Sequence, residues 1–364
     1  MTSLASRQYW AIVGIACALV LATRVEAASH VGWVWANQPN ATSTYAPESL
    51  NSYNSSGGQI SITPVGTGLY IVDFAGLYNA QHLNNVQVVA TDTNGYCTAD
   101  GWDAEGAGRG AEMEVACFDA SGNPANEFFS LEYQQRTSAF GSATKGIAFL
   151  LANQPTSTSY TPNASYNFNS TGAANTITRN APGTYMVIIP GLSGVHSDIQ
   201  VTAYGGSAAR CALTDWGPNA SGGAQTFVFC LDGSGNRSDT EFSLAYAVDE
   251  PFGLTSSATA NGAWAYTNRD GATKPYKPEK DYQYNGFGTG ALTAVANSTG
   301  NYTVTIPGSL SFSHSHVLVT SSYGTTGAYC NVLDWGGQTI NVGCYSQGGA
   351  PVTTQFFVAF QTED

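Results

Sequence analysis

The chain repeats one series of sequence landmarks three times, and this constrains its fold more than any other feature. Each copy has a Gly-x-Tyr-x-Val motif, a cysteine with a tryptophan five residues later, and a second cysteine with a phenylalanine twelve residues later. The series starts at Gly68, Gly183 and Gly300. A copy of about 105 residues is too long for a solenoid repeat and has the size of a domain with its own core. We therefore predict three tandem domains, at residues 28–136, 146–248 and 262–364.

Within each copy, apolar residues recur at every second position rather than at helical spacing. Segments such as LYIVDFAG and EMEVACFD alternate or are rich in β-branched residues, and Gly, Pro, Asn and Ser separate them. Such segments are typical of β-strands that bury one face. About seven strands in roughly 100 residues is the pattern of an immunoglobulin-like sandwich. The sequence therefore predicts an all-β protein of three immunoglobulin-like β-sandwich domains.

The first 27 residues have the pattern of a secretory signal peptide. Arg7 precedes an apolar stretch from Trp10 to Ala22, and small residues suit cleavage after Ala27. The apolar stretch is shorter than the roughly 20 residues that a membrane span needs, and no later segment approaches that length. We expect the mature chain to be secreted or held at the cell surface, without membrane insertion.

The mature chain is strongly acidic. The full chain has 12 basic and 25 acidic residues, and removal of Arg7, Arg24 and Glu26 leaves 10 and 24, a net charge of −14. Such a chain repels phosphate backbones. We therefore expect no nucleic-acid partner.

Six cysteines remain in the mature chain, two in each copy. An even number of cysteines in an exported chain favours disulfides, and these spacings lack the close Cys-x-x-Cys pairs that zinc sites use. Alternation places the second cysteine of each pair on the apolar face of its strand. We predict one disulfide in each domain: Cys97–Cys117, Cys211–Cys230 and Cys330–Cys344.

The second copy carries the segment LANQPTSTSYTPNASYNFNSTG, followed by GTYMV, IQVTAYG and a cysteine–tryptophan pair. In this order the segments resemble tandem domains of about 100 residues in exported bacterial proteins that are largely uncharacterised. The resemblance covers the whole mature chain and implies β-sandwich repeats. It implies no activity, so function has to be argued from the residues.

The tryptophan that follows each first cysteine is a candidate ligand contact. Trp102, Trp216 and Trp335 each begin a Gly-rich segment. One interpretation packs each ring on its disulfide, as the buried tryptophan of immunoglobulin domains does. The other exposes the rings as contacts for a carbohydrate or a peptide. Asp215 and Asp334, directly before two of these tryptophans, are candidate ligand-binding carboxylates in the second interpretation.

The first copy has an acidic segment, DGWDAEG, where the others keep one carboxylate. Asp100, Asp103 and Glu105 supply oxygen ligands at a density that suits calcium. The alternative is a solvated acidic loop. Calcium at these three residues is the one metal that the sequence suggests, and no other cofactor is expected.

The leading functional hypothesis is an exported, non-enzymatic binding or surface-structural protein. Three copies would allow multivalent recognition of glycans or of protein partners at a cell surface. The alternatives are an extracellular hydrolase, with a site in one repeat or between repeats, and a subunit of a surface appendage or coat that pairs through exposed strand edges. The sequence leaves open the oligomeric state and whether the three domains form a rod or a compact group.

Overall fold

The computed structural model describes residues 30–77, 83–104, 110–135, 146–252, 260–288, 290–308, 314–322 and 327–363. The described chain is all-β, with 25 strands and three short 3-10 turns at Ser49–Asn51, Ala164–Tyr166 and Lys280–Tyr282. No helix in these ranges is long and apolar enough to cross a membrane. We refer to the strands of the three sequence copies as repeats 1, 2 and 3.

The strands follow the same order in each repeat. Repeat 1 comprises β1 (His30–Ala36), β2 (Ser52–Asn54), β3 (Ile60–Gly66), β4 (Leu69–Ala75), β5 (Asn84–Thr91), β6 (Tyr96–Ala104), β7 (Gly110–Phe118) and β8 (Phe128–Gln135). Repeat 2 comprises β9 (Ile147–Ala152), β10 (Ser159–Tyr160), β11 (Asn167–Asn169), β12 (Thr176–Ala181), β13 (Thr184–Pro190), β14 (Ser197–Tyr204), β15 (Arg210–Pro218), β16 (Gly223–Leu231) and β17 (Glu241–Val248). Repeat 3 comprises β18 (Ala260–Tyr266), β19 (Gln283–Asn285), β20 (Thr293–Ser298), β21 (Asn301–Thr305), β22 (Ser315–Ser322), β23 (Tyr329–Gly336), β24 (Thr339–Tyr345) and β25 (Gln355–Glu363).

Each repeat supplies strands to two sheets. In repeat 1 the strand orders are β2-β1-β8-β5 and β3-β4-β7-β6, and repeats 2 and 3 pair their corresponding strands in the same way. Repeats 1 and 3 therefore have eight strands within the described residues, one more than the sequence predicts. The extra strand is the three-residue segment after the 3-10 turn, which is too short to show a period in the sequence.

The repeated sequence landmarks form the core of each repeat. Tyr70 of the Gly-x-Tyr-x-Val motif is buried and lies 5.2 Å from the ring of Phe129, and the tyrosine–phenylalanine pairs of the other repeats lie at 5.3 and 5.1 Å. Gly68 has a φ of +70°, and a Cβ there would overlap the carbonyl oxygen of Cys117. The glycine is required because the chain turns in the left-handed region against the second cysteine.

The sheets continue from one repeat into the next, so the repeats form one compact body. Strand β6 of repeat 1 pairs in parallel with β14 of repeat 2, and β5 of repeat 1 pairs in parallel with β23 of repeat 3. Each pairing joins sheets of two repeats into one eight-stranded sheet. Strands β15 and β22 are in contact at the remaining boundary, between repeats 2 and 3. This arrangement answers the question that the sequence left open in favour of a compact group.

All three predicted disulfides are present: Cys97–Cys117, Cys211–Cys230 and Cys330–Cys344. In each case the two cysteines face each other on neighbouring antiparallel strands, with Cα atoms 4.0 to 4.1 Å apart. Each bond therefore closes a hairpin within one sheet. The disulfide of immunoglobulin domains instead joins two sheets.

Candidate functional site

The centre of the molecule is formed by one strand from each repeat. Strands β5, β14 and β22 each contact the other two. Thr202 accepts a hydrogen bond from the backbone N–H of Val88 at 3.0 Å, and Thr320 accepts one from the N–H of Val201 at the same distance. Each strand thus meets the next in a cyclic order. We call these three strands the central column.

The candidate tryptophans lie at the boundaries between repeats. Trp216 of repeat 2 contacts Tyr266 and Phe357 of repeat 3, with ring centres 4.3 and 4.7 Å away. Trp102 lies 4.9 Å from Tyr204 of repeat 2, and Trp335 lies 5.6 Å from Trp35 of repeat 1. All three rings are half-buried. Their main aromatic contacts are in another repeat, which neither interpretation from the sequence included.

A β-bulge precedes each tryptophan and sets its direction. The register shifts between Ala99 and Gly101, between Leu213 and Asp215, and between Val332 and Asp334. A bulge inserts one residue and bends its strand. The alternation of inward and outward side chains, which holds along the rest of these strands, is therefore interrupted directly before each tryptophan.

The candidate carboxylates after the bulges are exposed and bonded locally. Asp215 Oδ1 accepts a hydrogen bond from the backbone N–H of Trp216 at 2.8 Å, and Asp334 Oδ1 accepts one from the Asn341 amide at 2.7 Å. Each aspartate lies near the turn of its own hairpin, Asp215 in the β15–β16 hairpin and Asp334 in the β23–β24 hairpin. The structure therefore does not bring Asp215 and Asp334 together in one site.

The acidic segment of repeat 1 is described only in part. Asp100 is the bulged residue of β6 and is half-buried beside Gly206 of repeat 2, whereas Asp103 is exposed. Glu105 lies outside the described residues. Across the part of the chain that the structure describes, no three His, Cys, Asp or Glu side chains are grouped to hold a metal ion. Calcium at Asp100, Asp103 and Glu105 stays a prediction.

A serine, a histidine and a glutamate meet at the boundary between repeats 3 and 1. Ser130 Oγ lies 2.7 Å from Nδ1 of His316, and Nε2 of His316 lies 3.6 Å from Oε2 of Glu132. These residue types form the catalytic triads of hydrolases. Here all three side chains are fully buried, and burial lowers the pKa of His316 to about 3. A substrate has no access to this cluster, and we interpret it as a buried contact between repeats.

A surface groove of about 530 Å³ lies on repeat 1, next to the residue that precedes strand β22 of repeat 3. Tyr45 and Tyr53 line it, and His314 from repeat 3 closes one side. The ring of Tyr53 lies 4.7 Å from the buried ring of Trp33, which fixes its orientation. Burial raises the pKa of Tyr45 to about 12 and also raises the pKa of Tyr53, so both phenols stay neutral. We call this surface the repeat 1 groove.

The other lining residues of the repeat 1 groove are neutral and rich in hydrogen-bonding groups. They carry hydroxyls and amides, as at Ser49, Asn54 and Gln59, and the described lining includes no Asp, Glu, Lys or Arg. Asn54 itself is buried, its amide donates to the carbonyl of Ala75 at 2.9 Å and its oxygen accepts from Ser56, so it supports the groove, whereas Ser49 and Gln59 are exposed. The groove can therefore exchange hydrogen bonds with a neutral polyhydroxyl ligand and present aromatic rings to it.

Two signals in the sequence could have located this groove. Tyr45 aligns with Tyr160 and Tyr276, and Tyr53 aligns with Phe168 and Tyr284. Both positions fall between the first strand of a repeat and its Gly-x-Tyr-x-Val motif, in segments that recur in all three copies. His314, however, belongs to repeat 3, and no local pattern shows that it reaches repeat 1.

Comparisons with protein-family models, with curated proteins and with solved structures find no match to this chain.

Proposed function

We propose that the chain is an exported, non-enzymatic binding protein that recognises glycans through the repeat 1 groove. The observation that carries this proposal is the composition of the groove, in which two tyrosines stand among neutral hydroxyl and amide groups. A sugar ring has an apolar C–H face that packs on an aromatic ring and hydroxyls that exchange hydrogen bonds with amides. Binding pockets commonly combine aromatic surface with a few placed polar groups.

Corresponding surfaces on the other repeats support a multivalent version of this proposal. Tyr160 and Phe168 occupy the equivalent positions in repeat 2, and Tyr276 and Tyr284 do so in repeat 3. The compact arrangement fixes the three surfaces relative to one another. Rigidly spaced weak sites increase overall affinity when the ligand can reach several at once.

Export is part of the proposal. Three disulfides are typical of proteins that fold in an oxidising compartment, and residues 1–27 have the pattern of a signal peptide. We further propose that residues 28–136, 146–248 and 262–364 are β-sandwich domains of immunoglobulin-like type, each with one in-sheet disulfide. Sequencing the N-terminus of the exported protein tests the leader, with Ala28 expected as the first residue.

A glycan array probed with the intact mature protein tests the function, followed by calorimetric titration of any glycan that binds. We expect binding that Tyr53→Ala weakens at least tenfold. Val195→Ala is the matched control, because Val195 is an exposed apolar residue of repeat 2 at 41% exposure and does not line the groove. Absence of binding to every glycan, or equal binding by Tyr53→Ala, contradicts the proposal.

Calcium at Asp100, Asp103 and Glu105 is a separate proposal. A calcium ion that binds only the folded chain raises its melting temperature. An unchanged melting temperature between chelator and millimolar calcium would rule it out.

A further inference from the structure

One side of the repeat 1 groove is supplied by another repeat. His314 lies directly before β22 of repeat 3, lines the groove and has its ring centre 6.2 Å from that of Tyr53. Its Nδ1 lies 3.1 Å from the backbone carbonyl oxygen of Glu363. A carbonyl oxygen only accepts hydrogen bonds, so Nδ1 carries the hydrogen and donates it. In the neutral imidazole, Nε2 is therefore a hydrogen-bond acceptor.

This acceptor is open to a ligand. Among the described residues no hydrogen bond or ion pair engages Nε2 of His314, and the atom is accessible to solvent. The hydroxyl of Tyr53 is likewise without a partner among the described residues and is accessible to solvent. A molecule in the groove thus meets an aromatic ring with a free hydroxyl and, beside it, a free imidazole nitrogen.

The equivalent histidine of repeat 2 shows that the open nitrogen is particular to His314. His196 precedes β14 as His314 precedes β22, and both have a φ in the left-handed region, +57° and +53°. Nε2 of His196 lies 3.2 Å from Oδ1 of Asp281, the middle residue of the 3-10 turn Lys280–Tyr282. The corresponding turn of repeat 1 has Leu50 in the middle, with 57% of its surface exposed. A leucine side chain has no polar atom, so no carboxylate at this position engages His314.

We propose that His314 is a ligand-binding residue of the repeat 1 groove, and that its Nε2 accepts a hydrogen bond from a hydroxyl of a neutral sugar packed on the ring of Tyr53. The inference rests on the proposed glycan-binding function and adds the residue that orients the sugar. A sugar packed on an aromatic face alone can turn over that face, whereas a directional hydrogen bond fixes which hydroxyl points toward repeat 3. The site is complete only when repeats 1 and 3 are assembled.

Four methyl glycosides serve as probes, those of glucose, galactose, mannose and N-acetylglucosamine. Each is titrated at pH 8 into the intact mature protein, with nuclear magnetic resonance detection of the histidine ring nitrogens. We expect at least one glycoside to bind and to shift the Nε2 resonance of His314, while Nδ1 keeps the resonance of a nitrogen that carries a hydrogen. This measurement uses the wild-type protein and does not require a variant to fold.

His314→Asn should lower the affinity for that glycoside about fivefold or more, the loss that one hydrogen bond implies. Asparagine tolerates the left-handed φ of this position and keeps a side-chain N–H donor near Nδ1, but it has no atom at the place of Nε2. His196→Asn is the matched control, because His196 has the same backbone conformation and does not line the groove. We expect its affinity to stay within about twofold of wild type, the change that a loss of no more than 0.4 kcal/mol gives.

Deoxy analogues of the bound glycoside, each lacking one hydroxyl, give a readout that a purely structural role of His314 would not change. One analogue should bind wild type about fivefold more weakly and bind His314→Asn as the parent glycoside does, because the variant has already lost that hydrogen bond. Equal losses in both proteins for every analogue, an unmoved Nε2 resonance or unchanged affinity in His314→Asn overturns this inference alone. The glycan array decides the proposed function separately, and absence of binding there as well removes both.

Discussion

The hydroxyl of Thr202 accepts a hydrogen bond from the backbone N–H of Val88 across the boundary between repeats 1 and 2. The same hydroxyl donates to the side-chain oxygen of Gln87 at 2.9 Å. Thr320 repeats both contacts at the boundary between repeats 2 and 3, with Val201 and Gln200. At the remaining boundary the corresponding residues are Val89 and Leu318, which belong to one buried apolar cluster. Two boundaries of the central column are therefore polar and one is apolar.

The polar boundaries predict the effect of Thr202→Val. The substitution keeps the shape of the side chain but leaves the Val88 N–H and the Gln87 oxygen without a partner. A buried polar group without a partner costs about 1–3 kcal/mol, so we expect the free energy of unfolding to fall by that amount. Urea denaturation followed by tryptophan fluorescence measures it.

A double variant, Gln87→Leu with Thr202→Val, supplies the control. It copies the apolar pair of the third boundary. We expect it to be more stable than the sum of the two single changes, because it lacks the Gln87 oxygen that Thr202→Val alone leaves unpaired, although the Val88 N–H and the Asn85 oxygen still lose a partner. Strictly additive losses would show that the two side chains do not act as a pair.

The sequence predicts those features that depend on neighbours along the chain. The pairing of Cys97 with Cys117 follows from a spacing that recurs three times and from strand alternation. The partners of Trp216 do not follow, because Tyr266 and Phe357 lie in another repeat and the bulge before the tryptophan breaks the alternation. Arg210 was detectable as the one charged residue at a position that is otherwise tyrosine. The burial of Arg210 could not be predicted from the sequence, because it depends on how the three repeats assemble.

Trp216→Ala tests the role of the tryptophans between repeats. The ring is half-buried against Tyr266 and Phe357, and loss of such aromatic contacts should lower the free energy of unfolding by about 2 kcal/mol or more. Hydrogen exchange should rise in β18 and β25 of repeat 3, which the ring covers, more than in β12 on the far sheet of repeat 2.

Asp215→Ala is the matched control for that experiment. Asp215 is the adjacent residue and is exposed, and its side chain bonds only to the N–H of Trp216 among the described contacts. We expect a change within about 0.5 kcal/mol, the range of surface substitutions. If Trp216→Ala were equally mild, the ring would not contribute to the boundary.

The buried His316 predicts a loss of stability in acid. Burial lowers the pKa of His316 to about 3 in the folded protein, whereas an unfolded histidine has a pKa of about 6.5. The unfolded state therefore binds the proton first. The contribution of His316 is full above pH 6.5 and is lost as the pH falls toward 3, by roughly 1.4 kcal/mol per pH unit at most.

His316→Asn isolates this contribution, because the equivalent Asn85 already bonds to Ser243 as His316 does to Ser130. Between pH 6.5 and 4.5 we expect the variant to lose about 2–3 kcal/mol less stability than wild type. Asp198, whose pKa burial raises to about 6, acts with the opposite sign in the same window and is present in both proteins. Parallel pH profiles for the two proteins would show that His316 does not titrate in this way.

Tyr53→Phe and Tyr53→Ala separate the two contributions that the repeat 1 groove would make to glycan binding. Phenylalanine keeps the ring that rests on Trp33 and removes only the hydroxyl, and repeat 2 already has Phe168 at this position, stacked 5.1 Å from Phe149. If the sugar packs on the ring, Tyr53→Phe should keep the affinity within a few-fold. Tyr53→Ala should lose at least tenfold, which corresponds to about 1.4 kcal/mol. Equal losses in both variants would show that the hydroxyl, rather than the aromatic face, holds the ligand, and the melting temperature of each variant confirms that it is folded when titrated.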